Sequence, residues 1–290
     1  MESINGIVKL CKLSLTRKFT DLSDIANSYN RVSKNYENVF LKEMHKYNEE
    51  MLKEISKQYI HSNSDKELNI LDLACGTGFN SRFLNNIFHK AKFTLVDISK
   101  GMLNEAKNNC KFNSVFIEKD MLSFLKSCED DSFNMVVCAW AIKYQKPKEI
   151  IKEVARVLKK GGYFAVIVNL KSTLPEVRKI YPYLVLNNYM KVEKIMKELP
   201  NPKSEKQFEK WFLDNGFSID KVKSGEHVFR LNSSEEVTKF VTSTGALAGF
   251  DSMVDMESNK VKDKMIDLFK HKNINTITHK YVWGVFENGK

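Results

Sequence analysis

Residues 70–80 read ILDLACGTGFN. With Leu68 and Asn69 ahead of them they form a near-continuous apolar run that ends in small residues, Ala74, Gly76 and Gly78. Such a run predicts a strand covered on both faces. The small residues after it predict a turn where the backbone comes close to a ligand. A dinucleotide fingerprint would need a third glycine at position 81, where a serine stands. No Lys-Ser/Thr pair follows, which excludes a phosphate-cradling P-loop. What remains is D-x-A-x-G-x-G, from Asp72 through Ala74 and Gly76 to Gly78.

Working outward, apolar runs at 92–99, 114–121, 132–140 and 163–170 read as further strands. Between them lie helical patterns: 79–88, a segment capped by Ser99, and 147–162, with Pro147 in its first turn and Gly161 and Gly162 at its end. Strands alternating with helices make βαβ units, a parallel sheet and an α/β fold. Four prolines, Pro175, Pro182, Pro200 and Pro202, then break the pattern. The expected organisation is an N-terminal helical lid segment over 1–60, a Rossmann-like core over 61–170 and a helical insertion over 171–203. A core helix and strand follow over 204–231, then a second helical insertion over 232–273 and a final core strand over 274–290.

Composition narrows the class. The chain has 290 residues, 42% of them hydrophobic, with only 12 glycines and 5 prolines, which suits regular helices and strands around a sizeable core. Five scattered cysteines without a CxxC pair fit neither a disulfide framework nor a zinc site, so no metal is expected and a reducing, cytoplasmic setting is. No apolar stretch is long enough for a membrane span, and the N-terminus does not read as a signal peptide. Residues 4–15 read as a short basic amphipathic helix, with packing on the protein body preferred over membrane contact. The net charge of +10 favours an anionic partner without naming one, and the dispersed lysines read as solvated helix faces.

Two acids follow the glycine turn at informative places. Asp97 ends the second strand about 20 residues beyond Gly76, where a carboxylate can accept from both ribose hydroxyls. Asp120 ends the third, where it can accept from an adenine amino group while Met121 packs on the ring. All three strand ends lie at the carboxyl edge, where open α/β sheets bind ligands.

This arrangement resembles the class I S-adenosylmethionine-dependent methyltransferases. The stretches LDLACGTG, VDIS and EKDM carry the likeness, with SFNMVVCAWAIKYQ and EVARVLKKGGYFAVIV adding to it over about residues 20–170. The resemblance implies a Rossmann-like seven-stranded, mostly parallel sheet with the last strand antiparallel, helices on both faces and helical lid insertions. It implies S-adenosyl-L-methionine as cofactor. The loop of Asp72, Ala74, Cys75, Gly76 and Gly78 would meet its methionyl part and ribose, with Asp72 orienting the amino group. Asp97, Ile98 and Met102 would follow at the ribose, Asp120 and Met121 at the adenine, and the Cys138, Ala139 and Trp140 backbone near the sulfonium. Cys75 and Cys138 read as packing residues.

Upstream, IANSYNRVSKNYENVF resembles a lid helix of small-molecule methyltransferases, with Tyr29 and Tyr36 in the positions of its tyrosines and Asn30 and Glu37 in place of its aspartates. Downstream, EEVTKFVTSTGALAGF and STLPEVRK resemble inserts of the trans-aconitate and malonyl-carrier-protein methyltransferases. The family implies an enzyme acting on a small-molecule or carrier-borne acceptor. Lys143, Tyr144, Tyr181, Lys239 and Thr244 are candidates for the acceptor pocket.

An anionic carboxylate acceptor is the specific expectation, because it is already ionised and needs no general base. No base with a partner is evident in the sequence, so a catalytic residue is left unassigned. N- or C-methylation of a metabolite is the alternative. RNA methylation and a non-catalytic cofactor-binding role rank below it; no appended RNA-binding module is evident.

Overall fold

The computed structural model describes residues 2–36, 42–62, 68–245 and 247–289. Glu37 therefore lies outside the described residues. In chain order the helices and strands begin with α1 (Glu2–Leu15), α2 (Leu22–Val32) and α3 (Lys42–Ser62). The α/β alternation follows: β1 (Asn69–Leu73), α4 (Phe79–Asn85), β2 (Lys92–Asp97), α5 (Lys100–Asn109), β3 (Ser114–Glu118), α6 (Met121–Lys126), β4 (Phe133–Ala139), α7 (Pro147–Val157) and β5 (Leu158–Asn169). The last third holds α8 (Pro175–Asn187), α9 (Glu205–Leu213), β6 (Phe217–Arg230), α10 (Ser234–Ser243), α11 (Asn259–His271) and β7 (Thr276–Asn288).

Contacts divide the chain into two compact units. The first gathers residues 1–40, 172–198 and 226–279, and holds α1, α2, α8, α10 and α11. The second gathers 41–171, 199–225 and 280–290, and holds the sheet. The sheet has seven strands in the order β3-β2-β1-β4-β5-β7-β6. β1 pairs parallel with β2 and β4, β2 with β3, and β4 with β5. β7 runs antiparallel to β5, with Tyr163 opposite Glu287 and Asn169 opposite Tyr281. The expected fold class is therefore the observed one.

The sheet is buried because the sequence leaves it little polar surface to show. Ile70, Leu71 and Leu73 of β1 and Val136, Val137 and Cys138 of β4 are fully enclosed. One face packs Ile150, Ile151, Val154 and Val157 of α7 with Phe208 and Phe212 of α9 into one apolar cluster. The amphipathic spacing of PKEIIKEVARV turns those four α7 side chains inward.

Two local expectations are corrected. The helix read over 147–162 ends at Val157, because Leu158 turns extended, buries completely and pairs with Phe133. The two glycines serve the strand instead: a Cβ on Gly162 would stand 2.8 Å from the Lys159 carbonyl oxygen. Second, the strand read over 114–121 stops at Glu118, and Asp120 caps a helix, α6, that the sequence reading missed. The carboxylate of Asp120 accepts from Ser123 N at 3.0 Å, and this local bond wins over continued pairing. Residues 42–62 fall in the sheet unit, where α3 packs on α4 and β5.

Candidate cofactor and acceptor site

The loop after β1 is built from left-handed residues at alternating positions: Ala74 (φ 59°), Gly76 (φ 55°) and Gly78 (φ 85°). Two glycines supply this freely, whereas Ala74 adopts it against its own Cβ. At Gly78 the requirement is also spatial, since a Cβ there would lie 2.5 Å from Cys110 Sγ. At Gly76 a Cβ would meet nothing within 4 Å, so open space adjoins the backbone there.

Asp97 holds the loop in place. Its Oδ2 accepts from Gly76 N at 2.8 Å and its Oδ1 from Ser99 N at 2.8 Å. Burial pushes its carboxyl up to about 6, against the pull of these backbone donors. Each carboxylate oxygen keeps a lone pair for a further donor. Ser99 caps α5 as expected, its Oγ accepting from Met102 N at 3.1 Å. Ile98 is half-buried beside it and Met102 is buried.

Asp72 faces inward. Its Oδ2 accepts from Ser81 Oγ at 2.7 Å and Ser81 N at 3.2 Å, which ties the start of α4 to β1. Its Oδ1 takes only a long bond from Asn80 Nδ2, 3.4 Å. Burial pushes this carboxyl up to about 6 as well. From Asn80 a buried chain of amides runs on: Asn48 Nδ2 donates to Asn80 Oδ1 at 2.9 Å, and Trp140 Nε1 donates to Asn48 Oδ1 at 2.9 Å. Trp140 itself is left-handed (φ 63°), and its ring stands edge-on to Tyr281 at 6.2 Å. Asn48, Asn80 and Ser81 carry no motif, so the sequence reading missed them. Their only signal is a polar side chain on an otherwise apolar helix face.

Around the third and fourth strand ends, Gln145 ties the predicted Asp120 to the first turn of α6. Its Nε2 donates to Asp120 Oδ1 at 2.7 Å and its Oε1 accepts from Leu122 N at 3.0 Å. Partial burial raises the Asp120 carboxyl, but its bonds from Ser123 and Gln145 outweigh that and hold it below its ordinary value. Met121 is buried at the first position of α6, with its sulfur 3.9 Å from Cys138 Sγ. Ala139 is half-buried at the end of β4. Burial raises the Cys75 and Cys138 thiols, which disfavours thiolate chemistry at both and leaves them as packing residues.

Lys143 is the most unusual group of this unit. It follows β4, is buried, and donates from Nζ to Asn169 Oδ1 at the end of neighbouring β5. Burial alone pulls its ammonium down to about 7. The ammonium lies 5.1 Å from the centre of the Tyr144 ring.

The remaining predicted residues fall in the first unit. Tyr29 and Tyr36 meet edge to face at 5.7 Å. Gly245, left-handed at φ 67°, lies against both, for a Cβ there would stand 3.2 Å from Tyr29 and 3.3 Å from Tyr36. The tyrosine element and the Ser-Thr-Gly element, some two hundred residues apart, thus meet. Thr244 is buried, and its Oγ1 has no hydrogen-bond partner among the described residues. Lys239 lines a cavity of about 730 Å³ with Arg31, Gly245, Asp251 and Met256. Tyr181 points elsewhere, its hydroxyl donating to the Phe250 carbonyl at 2.6 Å while burial raises its phenol.

The seven-stranded order with its antiparallel β7, and a glycine loop and acids at the carboxyl ends of β1 and β2, define a class I, Rossmann-like methyltransferase architecture. Residues 70–162 match the family described as methyltransferase domain, so this stretch is a methyltransferase domain.

Curated relatives include a malonyl-[acyl-carrier protein] O-methyltransferase of Brevibacillus brevis, 28% identical over 105 residues, 35% of this chain and 38% of that one. A demethylmenaquinone methyltransferase of Leptospira interrogans is 28% identical over 149 residues, 48% of this chain and 58% of that one. The chain thus spans well under two thirds of the length of either relative. Among solved structures, the YcgJ protein of Bacillus subtilis superposes with a TM-score of 0.55 at 16% identity, covering 83% of this chain and 99% of that one. The [4+2]-cyclase SpnF superposes at 0.50 with 15% identity, covering 82% and 80%. At such identities the likeness shows the fold alone.

Proposed function

We propose that the chain transfers a methyl group from S-adenosylmethionine to a small-molecule or carrier-borne acceptor. The observation that carries this reading is Asp97 locking a left-handed glycine loop beside open space, within a methyltransferase domain. A flat ligand can lie on the bare backbone at Gly76, while the spare lone pairs of Asp97 accept from ribose hydroxyls. The long-bonded Oδ1 of Asp72 is the acceptor left for an ammonium group. Asp120 and Met121 fit an adenine, and Tyr29 and Tyr36 are proposed as its lid. The bound cofactor would supply an electrophilic methyl on a sulfonium. The chain's part is then to align the acceptor in line with that methyl and exclude water.

An anionic carboxylate acceptor is the finer reading. Lys143 supports it, because a buried ammonium whose hydrogen-bonded partner is a neutral amide is matched by an incoming anion. Lys239, which lines its cavity, is a second candidate. Lys143 also favours a second reading: lowered to about 7, it can take a proton from an amine or carbon acid, as N- or C-methylation requires. A cytoplasmic setting is proposed from the scattered free cysteines.

Calorimetry with S-adenosylmethionine tests the cofactor reading. Wild type should bind and Asp97→Ala should bind at least tenfold more weakly; equal binding by both removes the proposed role of Asp97. Turnover of labelled cofactor against carboxylates, amines and phenols then separates the two acceptor readings.

A further inference from the structure

Helix α1 hides its narrow side and shows its broad one. Gly6 is buried, and a Cβ on it would stand 3.3 Å from Leu186 and from Tyr189. Leu10 and Leu13 are half-buried on the same side. At a helical repeat, Ile4, Ile7, Val8, Cys11 and Leu15 fall on the opposite arc. Ile4 is 63%, Ile7 53%, Val8 61% and Leu15 84% exposed, and Cys11 is exposed too. Met190, 78% exposed, lies beside the half-buried Lys9, whose Nζ donates to its carbonyl at 2.6 Å. Other large exposed hydrophobic residues, such as Ile60, Ile87, Val115 and Leu213, lie far apart along the sequence. A contiguous apolar face of this kind marks an interaction surface.

The charge at its border identifies the partner. Lys12 borders the apolar arc, and Arg17 and Lys18 follow its end. No acidic residue occurs between Glu2 and Asp21. A second copy of the same face would bring like charges together. An anionic bilayer answers both features, with acyl chains for the apolar arc and phosphates for the cations. The length of α1, 14 residues, suits lying in the interface, and no helix among the described residues is long and apolar enough to cross a membrane.

We propose that α1 is an interfacial anchor that seats its Ile4–Leu15 face in the surface of an anionic lipid bilayer, with Lys12, Arg17 and Lys18 against the lipid phosphates. The helix packs on the body as expected through Gly6, Leu10 and Leu13, and its larger apolar side stays exposed. The proposal concerns where the protein sits and is independent of the reaction it performs.

Co-sedimentation of the full chain with phosphatidylcholine vesicles, with and without phosphatidylglycerol, tests it. Binding should require the anionic lipid and weaken as salt rises. Ile7→Glu/Val8→Glu should reduce it at least tenfold with an unchanged circular dichroism spectrum. Leu15→Ser, at the most exposed position, repeats the test should the double variant unfold. Lys12→Glu/Arg17→Glu should abolish the preference for anionic vesicles. Absence of binding, equal binding to neutral vesicles, or wild-type binding by folded variants of the apolar face overturns the proposal. So does a dimer in sedimentation equilibrium that Ile7→Glu/Val8→Glu dissolves without any vesicle binding, which would make the face a contact between copies.

Discussion

Asp97 grips Gly76: the carboxylate at the end of β2 accepts the amide of the turn after β1 at 2.8 Å. One side chain thereby sets the loop conformation and presents its remaining lone pairs to the space beside that loop. The pH dependence of the two jobs has opposite signs. With the Asp72 and Asp97 carboxyls raised to about 6, the native state holds protons that the unfolded chain has released. Their contribution to stability is full below about 4, the unfolded value, and is lost as pH rises through about 6. Affinity for S-adenosylmethionine should instead fall as pH drops through about 6, when Asp97 gains a proton and loses acceptor capacity. Calorimetry between pH 5 and pH 8 (roughly one unit or more either side of that value) checks this, and Asp97→Asn should flatten the profile.

Ala74 and Gly76 share a left-handed backbone, but only Ala74 carries a Cβ. Ala74→Gly removes a strain of about 1–2 kcal/mol, partly offset by glycine's greater freedom when unfolded, for a net gain of about 0.5–1 kcal/mol. Gly76→Ala should cost about 1–2 kcal/mol in stability, for φ alone, and lower cofactor affinity at least tenfold by filling the open space. Urea unfolding and calorimetry on the two variants separate strain from ligand contact.

Asn48 links α3 to the site through Trp140 and Asn80. Asn48→Ala leaves a buried indole N–H and a buried amide oxygen without partners, and should cost about 2–6 kcal/mol, a lost pair of bonds at about 1–3 kcal/mol per orphaned group. Denaturant unfolding measures this. Asn48→Asp restores only the acceptor to Trp140, so it should recover part of the loss.

Lys143→Met tests the buried lysine. With its ammonium lowered to about 7, Lys143 contributes stability that is present above about 10, the unfolded value, and is lost as pH falls through about 7. The methionine variant should therefore melt a few degrees higher than wild type near pH 7, on the order of ΔΔG/ΔS for a chain this size, with the gap closing towards pH 10. Under the carboxylate reading its KM for the acceptor should rise at least tenfold. If Lys143 is instead a base, kcat should fall and the rise of rate through about pH 7 should vanish.

By itself the sequence determined the alternation of strand and helix, the parallel core and the loop between Asp72 and Gly78. These depend on local patterns: apolar runs too continuous for a one-sided strand, caps at Ser99 and Pro147, and a carboxylate spaced one βαβ unit from a glycine. The expected antiparallel last strand came from the family likeness, and β7 fulfils it. What only the tertiary structure decided depends on partners distant in sequence. Asn48 reads as one polar residue on an amphipathic helix until Trp140, 92 positions later, donates to it. Lys143 reads as one of several candidates for an acceptor pocket until Asn169 and the sheet enclose it and desolvation lowers its ammonium. Helix α1 reads as packing on the body until the fold shows which side Leu186 and Tyr189 occupy, leaving the apolar arc to water. Periodicity marks which residues share a face. What covers that face is a property of elements elsewhere in the chain, and burial, which sets the cost of charge and of exposed carbon alike, is known only once they are in place.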